Sequence, residues 1–82
     1  MRKVLIISAS DSELELMNEA GKILEEFGVE YELTISSAHR SPERTVELVK
    51  KFHNDGGKVI ICGAGLAAHL AGVAAAHFPL PV

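Results

Sequence analysis

The sequence predicts an α/β fold organised on a parallel sheet, and three features predict it. Residues 4–7 (Val-Leu-Ile-Ile) and 59–62 (Val-Ile-Ile-Cys) are short, continuous apolar runs rich in β-branched side chains. Such runs suit strands covered on both faces, as parallel sheets require. Between them lies strict alternation, with Tyr31, Leu33 and Ile35 on one face and Glu30, Glu32 and Thr34 on the other. That is the mark of a half-exposed strand near a sheet edge. A helical pattern follows each strand, so the order is βαβαβα, with right-handed crossovers between parallel strands.

Taken in order, residues 4–7 form the first strand and Ser8-Ala9-Ser10-Asp11-Ser12-Glu13 turns the chain. Leu16, Ala20, Ile23, Leu24 and Phe27 then recur at three- and four-residue steps, the expected inward stripe of a first helix. Gly28 stands in the usual glycine position after a helix end. After the alternating second strand, Pro42 suits the first turn of a second helix, with Val46, Val49 and Phe52 inward and Arg44, Glu47, Lys50 and Lys51 outward. Asn54-Asp55-Gly56-Gly57 stops it. Residues 59–62 form the third strand, Gly63-Ala64-Gly65 leads into a small-residue helix over about 66–76, and Pro79 and Pro81 follow. Two fully apolar strands and one half-polar strand imply the spatial order 2-1-3. The expectation is a three-layer, flavodoxin-like sheet whose three βα loops open on one edge.

Composition narrows the function classes. The 82 residues, 48% of them hydrophobic, allow one small globular domain, residues 1–82. A net charge of −3 disfavours nucleic acid or an anionic membrane surface as the main partner, because both reward a basic face. The single cysteine excludes an internal disulfide framework and fits a reducing compartment. The apolar start is too short for a signal peptide and is broken by Ser10-Asp11-Ser12-Glu13, and no stretch reaches the length of a membrane span. The four histidines show no metal-ligand spacing, and Cys62 reads as a buried strand thiol.

Chemistry concentrates in the loops. In the second, Ser36-Ser37-Ala38-His39-Arg40-Ser41-Pro42 combines a group that titrates near neutrality, a fixed cation with a planar fork, and hydroxyls. That set suits acid–base work on an anionic small molecule, and equally a polar loop whose Ser41 caps a helix. The first loop sets Ser10 and Ser12 at a helix N-terminus, where backbone N–H groups favour phosphate. Ser10-x-x-Glu13 is also a capping box, and Asp11 and Glu13 bring negative charge to the same place. In the third, Gly63-Ala64-Gly65-Leu66-Ala67-Ala68-His69 lets a ligand approach the backbone, or lets helix and sheet pack closely. His69 faces the ligand or is a polar residue at a helix start.

Ser37-Ala38-His39-Arg40-Ser41-Pro42 and Gly63-Ala64-Gly65-Leu66-Ala67-Ala68-His69-Leu70 resemble the two signature segments of the class I PurE family, at the family's interval. These are N5-carboxyaminoimidazole ribonucleotide mutases, the catalytic subunits of phosphoribosylaminoimidazole carboxylase in purine biosynthesis. Counting back without a gap, Ala9-Ser10-Asp11-Ser12-Glu13 falls on the family's Gly-Ser-x-Ser-Asp loop. The resemblance implies a cytoplasmic mutase moving a carboxylate from N5 to C4 of an aminoimidazole ribonucleotide, with no metal or organic cofactor, as a homo-oligomer. By the same resemblance His39 is the general acid/base. Arg40 and Ser10 hold the phosphate with Ser12 near it, and Glu13 takes the place of a ribose-binding aspartate. Ser37 and Ala38 line the pocket, and Gly63, Ala64, Gly65 and His69 form the floor for the carboxylate or carbon dioxide.

The chain departs from the family pattern at named positions. Ala9 stands for a glycine and is expected to crowd the phosphate loop. Glu13 stands for aspartate, Leu66 for a glycine and Ala71 for a proline. The family continues into a fourth strand after the position of Val82, so the expectation is the amino-terminal half of such a domain. Two further readings stay open at this point, a non-catalytic phosphate or nucleotide binder and a structural fragment without ligand. With no proline in residues 59–62 and only Lys58 beside them, the third strand is expected to be a bare edge that promotes self-association.

Overall fold

The computed structural model describes residues 3–65 and 69–82. Its elements are β1 (Val4–Ser8), α1 (Asp11–Glu26), β2 (Tyr31–Ile35), α2 (Pro42–Asn54), β3 (Val59–Gly63) and α3 (Leu70–His77). The sheet order is β2-β1-β3 with both pairs parallel, as the strand polarities imply. Ser8, the last residue of β1, is in register with Ile35 of β2 and Gly63 of β3, so the three strands end together. β1 is buried along its whole length because both faces are covered. Leu5 and Ile7 pack with Val49 and Phe52 of α2, Ile60 of β3, and Leu70 and Ala74 of α3. On the other face Val4 and Ile6 pack with Met17 of α1.

Several details differ from the sequence expectation. In α1 the inward face is centred on Met17 and Gly21, while Leu16, Ile23 and Phe27 are 71%, 54% and 77% exposed. A three-and-four spacing fits two neighbouring faces of one helix, and Gly21 decides between them. It is packed against the Tyr31 ring, where a Cβ would lie 2.6 Å from the phenol oxygen, so the helix rolls to seat its glycine on β2. In α2 the most buried positions are Thr45, Val49 and Phe52, with Val46 only half-buried. Ser41 occupies the N-cap position without a side-chain hydrogen bond. The third helix begins at Leu70; residues 66–68 of the expected helix lie outside the described residues. His69 before it has φ 56° and ψ 23°, a left-handed conformation that a continuing helix does not allow.

The β3 edge is also not bare. The Ile60 N–H donates to the Pro81 carbonyl at 2.9 Å, so the segment after α3 returns to lie beside the start of β3. Gly28 and Gly56, at φ 70° and 91°, supply the positive φ that the turns after α1 and α2 need.

Candidate functional site

The common end of the strands brings the three βα loops to one edge of the sheet, the position at which open α/β sheets bind ligands. Backbone bonds hold the loop bases together. Ala9 N–H donates to Gly63 O at 2.9 Å, and Ser36 N–H to Ser8 O at 2.9 Å. The buried Ser8 hydroxyl donates to Ser10 O at 2.7 Å, fixing the entry to the first loop.

In that loop Ser10 is the N-cap of α1. Its hydroxyl oxygen accepts from the Ser12 N–H at 3.3 Å and its proton goes to the Glu13 carboxylate. The extra methylene of Glu13, relative to aspartate, gives the carboxylate the reach to close this bond. The two side chains are thus engaged with each other, and the Ser10 hydroxyl also with the helix end, which is the capping role. Ala9 does not crowd the loop as expected, because its methyl packs against the core on the α2–α3 side.

The second loop is held by different means. Ser41 N–H donates to Ser37 O at 2.9 Å, closing a turn over Ala38, His39 and Arg40, and Arg40 N–H donates to Ser37 Oγ at 3.1 Å. Ala38 is half-buried against the core. His39 and Arg40 are exposed, and among the described residues no carboxylate pairs with the Arg40 guanidinium. Arg44, one turn into α2, is used structurally, donating to Ile35 O at 3.0 Å.

The third loop completes the edge. Gly63 lies over Met17, whose sulfur occupies the space a Cβ would need, and a Cβ on Gly65 would come within 3.0 Å of Glu13 Oε1. Ala64 is half-buried and packs against the core. His69 is exposed, and its ring stacks on that of His39 with centroids 6.4 Å apart and planes 30° apart. Loops one and three therefore meet at Glu13 and Gly65, and loops two and three meet at the histidine pair. No hydrogen bond or ion pair joins Arg40 to Ser10 or Ser12 among the described residues.

Sequence reading missed Thr45. It is fully buried, and its hydroxyl reaches Ser36 Oγ at 2.7 Å, Ser41 O at 3.0 Å and Ser37 O at 3.2 Å. The available signal was a β-branched hydroxyl in the inward stripe of α2, four residues after Ser41. Cys62 is half-buried rather than buried, and desolvation pushes its thiol up to about 11, which leaves it un-ionised at neutral pH. His53 stacks on Phe78 at 5.2 Å and lies away from the loops. A cleft lined by Leu5, Glu30, Glu32, Lys51 and Asp55 lies at the start of β2 and the end of α2, also away from the loop edge. Among the described residues no three His, Cys, Asp or Glu are grouped to hold a metal ion, and no helix is long and apolar enough to cross a membrane.

The arrangement offers an imidazole pair, a guanidinium that no carboxylate pairs with among the described residues, and a shelf of small residues on one edge. Comparison with known proteins gives the family. The sequence model of the family described as AIR carboxylase matches residues 3–82. The N5-carboxyaminoimidazole ribonucleotide mutase of Pyrococcus horikoshii is 60% identical over 77 residues, covering 94% of this chain and 44% of that protein. The mutase of Thermotoga maritima is 54% identical over 82 residues, covering 100% and 48% respectively. The phosphoribosylaminoimidazole carboxylase of Schizosaccharomyces pombe is 56% identical over 77 residues, 94% of this chain and 14% of that protein. The chain spans about half the length of the mutases it matches.

Proposed function

The chain belongs to the AIR carboxylase family, and on that premise we propose that its loop edge handles an aminoimidazole ribonucleotide, shifting a carboxylate from N5 to C4 of the ring. The observation that carries this reading is the His39–His69 pair, exposed beside Arg40 and the small residues of the third loop. Protonated His39 gives its proton to N5 as the N–C bond breaks and carbon dioxide is released. Ring C4 then attacks carbon dioxide, and neutral His39 removes the C4 proton. One group thus serves as acid and then base, and carbon dioxide held close to C4 gains the effective concentration of an intramolecular reaction.

Arg40 fits the phosphate, through charge-assisted bonds. Ser10 and Ser12 add to it if the Ser10 hydroxyl turns from Glu13, whose carboxylate then faces the ribose hydroxyls. Ser37 and Ala38 wall the pocket, and Gly63, Ala64, Gly65 and His69 supply a floor of low relief for carbon dioxide. The reading includes action in the cytoplasm and assembly into a homo-oligomer, with neither nucleic acid nor a membrane as partner. Support for assembly is the exposed stripe Leu16, Ile23 and Phe27, with Val59 of β3 36% exposed on the same side of the sheet. Surface of that kind is commonly an association site.

The test is interconversion of N5-carboxyaminoimidazole ribonucleotide and its C4 isomer by the parent chain and by His39→Asn. The variant is expected to lose at least about a hundredfold in turnover while binding ligand within a few-fold. Equal turnover in the variant removes His39 from the mechanism. Absence of both turnover and ribonucleotide binding in the folded parent contradicts the reading.

A further inference from the structure

We propose that Thr45 is a positioning residue for His39, acting through the turn that carries it, an inference that rests on the reading of His39 as the acid–base group. Thr45 lies in α2 and has no place in the signature segments. Its side chain is nevertheless the point at which the second loop is tied to the scaffold. A threonine hydroxyl has one proton. With carbonyls at 3.0 Å (Ser41) and 3.2 Å (Ser37), that proton is shared between them, and Ser36 at 2.7 Å donates its own to the Thr45 oxygen. Ser36 and Thr45 are 3% and 0% exposed, so water does not replace either partner.

Both carbonyls belong to the His39 turn. Ser37 O is the acceptor that closes it, from Ser41 N–H at 2.9 Å, and Ser41 O accepts the Thr45 N–H at 3.0 Å. The Thr45 hydroxyl therefore ties the Ser37 foot of the turn to α2 and reinforces the backbone bond at the Ser41 foot, while among the described residues the exposed tip, His39 and Arg40, is defined by Ser37 Oγ and the His69 ring. Loss of the hydroxyl leaves a buried Ser36 group unpaired and lets the turn pivot. The imidazole then leaves its partner ring, although the helix and the core stay in place.

The experiment compares Thr45→Val, which keeps the shape and removes the hydroxyl, with Thr45→Ser, which keeps the hydroxyl. Val49→Ala, one turn on and 1% exposed in the parent, serves as a variant that loosens the same helix by packing alone. Two quantities are read at a temperature where all four chains are folded: turnover, and the ring Cε1–Hε1 resonances of His39 and His69. In Thr45→Val the two ring resonances move toward free-imidazole positions and turnover falls roughly tenfold or more. Thr45→Ser restores both, and Val49→Ala keeps the parent's ring resonances despite its lower stability. Ring resonances unchanged in Thr45→Val, or shifted equally in Val49→Ala, overturn the proposal. Because the ring resonances need no substrate, a parent chain without turnover counts against the functional reading and leaves the Thr45 result decided.

Discussion

The first and second βα loops start from the same position, the end of a parallel strand before a helix, yet they use their polar groups in opposite ways. In the first, the Ser10 hydroxyl bonds both the Glu13 carboxylate and the Ser12 N–H at the start of α1. In the second, the tie to the scaffold is made below the loop by the buried Thr45, and His39 and Arg40 are left exposed at the tip. A hydroxyl at a helix N-terminus serves the helix unless something else does, whereas a loop held from beneath can spend its side chains on a ligand. On the proposed function, helix capping falls chiefly to the first loop and ligand contact chiefly to the second, and each assignment can be broken separately.

The largest effect on binding is expected from Arg40→Ala. Removing an exposed guanidinium takes away a charge-assisted bond to phosphate, so ribonucleotide affinity falls roughly tenfold to a hundredfold, with the midpoint of thermal unfolding unchanged. Calorimetric titration and a melting curve on the same sample check both halves. Affinity indifferent to Arg40 would place the phosphate elsewhere. Ser10→Ala should show the reverse pattern, a stability loss of about 0.5–2 kcal/mol from the lost cap, measured by urea unfolding, with affinity changed less than in Arg40→Ala. If Ser10→Ala instead abolished binding at unchanged stability, the contrast between the loops would disappear.

A smaller effect sharpens the contrast. Glu13→Asp shortens the carboxylate by one methylene, so it withdraws from the Ser10 hydroxyl and frees that group for an anion. Affinity for the ribonucleotide is expected to rise a few-fold, at a slight loss of stability, and titration of the variant decides the sign. The smallest effect concerns the ground beneath both loops. Cys62 precedes Gly63, and burial raises its thiol from an ordinary 9.0 to about 11. An acid whose folded value is raised holds its proton longer in the native state, so stability is fully present below about pH 9 and declines as the pH approaches 11. Tyr31, raised by its hydrogen bond to the Glu25 carboxylate, adds a slope of the same sign above pH 10. Unfolding measured from pH 8 to 11 should show the decline, and Cys62→Ala should remove the Cys62 part of it.

Much of this was legible in the chain itself. Strand order followed from two residue patterns, the unbroken apolar runs of β1 and β3 and the alternation of β2, because burial on two faces or one writes itself directly into polarity. The shared loop edge followed from parallel topology. The roll of α1 was not legible, since the stripe Leu16, Ala20, Ile23, Leu24 and Phe27 and a face centred on Met17 and Gly21 share Ala20 and Leu24 as packed residues, and what decides is a glycine's fit against Tyr31, which hydrophobicity does not encode. The start of α3 depended on one backbone conformation at His69. In the site, residue types and spacing nominated Ser10, His39, Arg40 and His69, but the Ser10–Glu13 bond, the histidine stack and the Thr45 anchor are facts of distance between loops. A sequence read one segment at a time does not contain them.

The most direct measurement is a titration of the isotope-labelled chain with aminoimidazole ribonucleotide, followed amide by amide. The account predicts saturable shifts at Ser37, His39 and Arg40, at Gly63 and Gly65, and at His69. Those at Ser10 and Glu13 should be weaker in the parent and stronger in Glu13→Asp. Shifts confined to the cleft around Glu32, Lys51 and Asp55, or no saturable shift while the chain is folded, would contradict it.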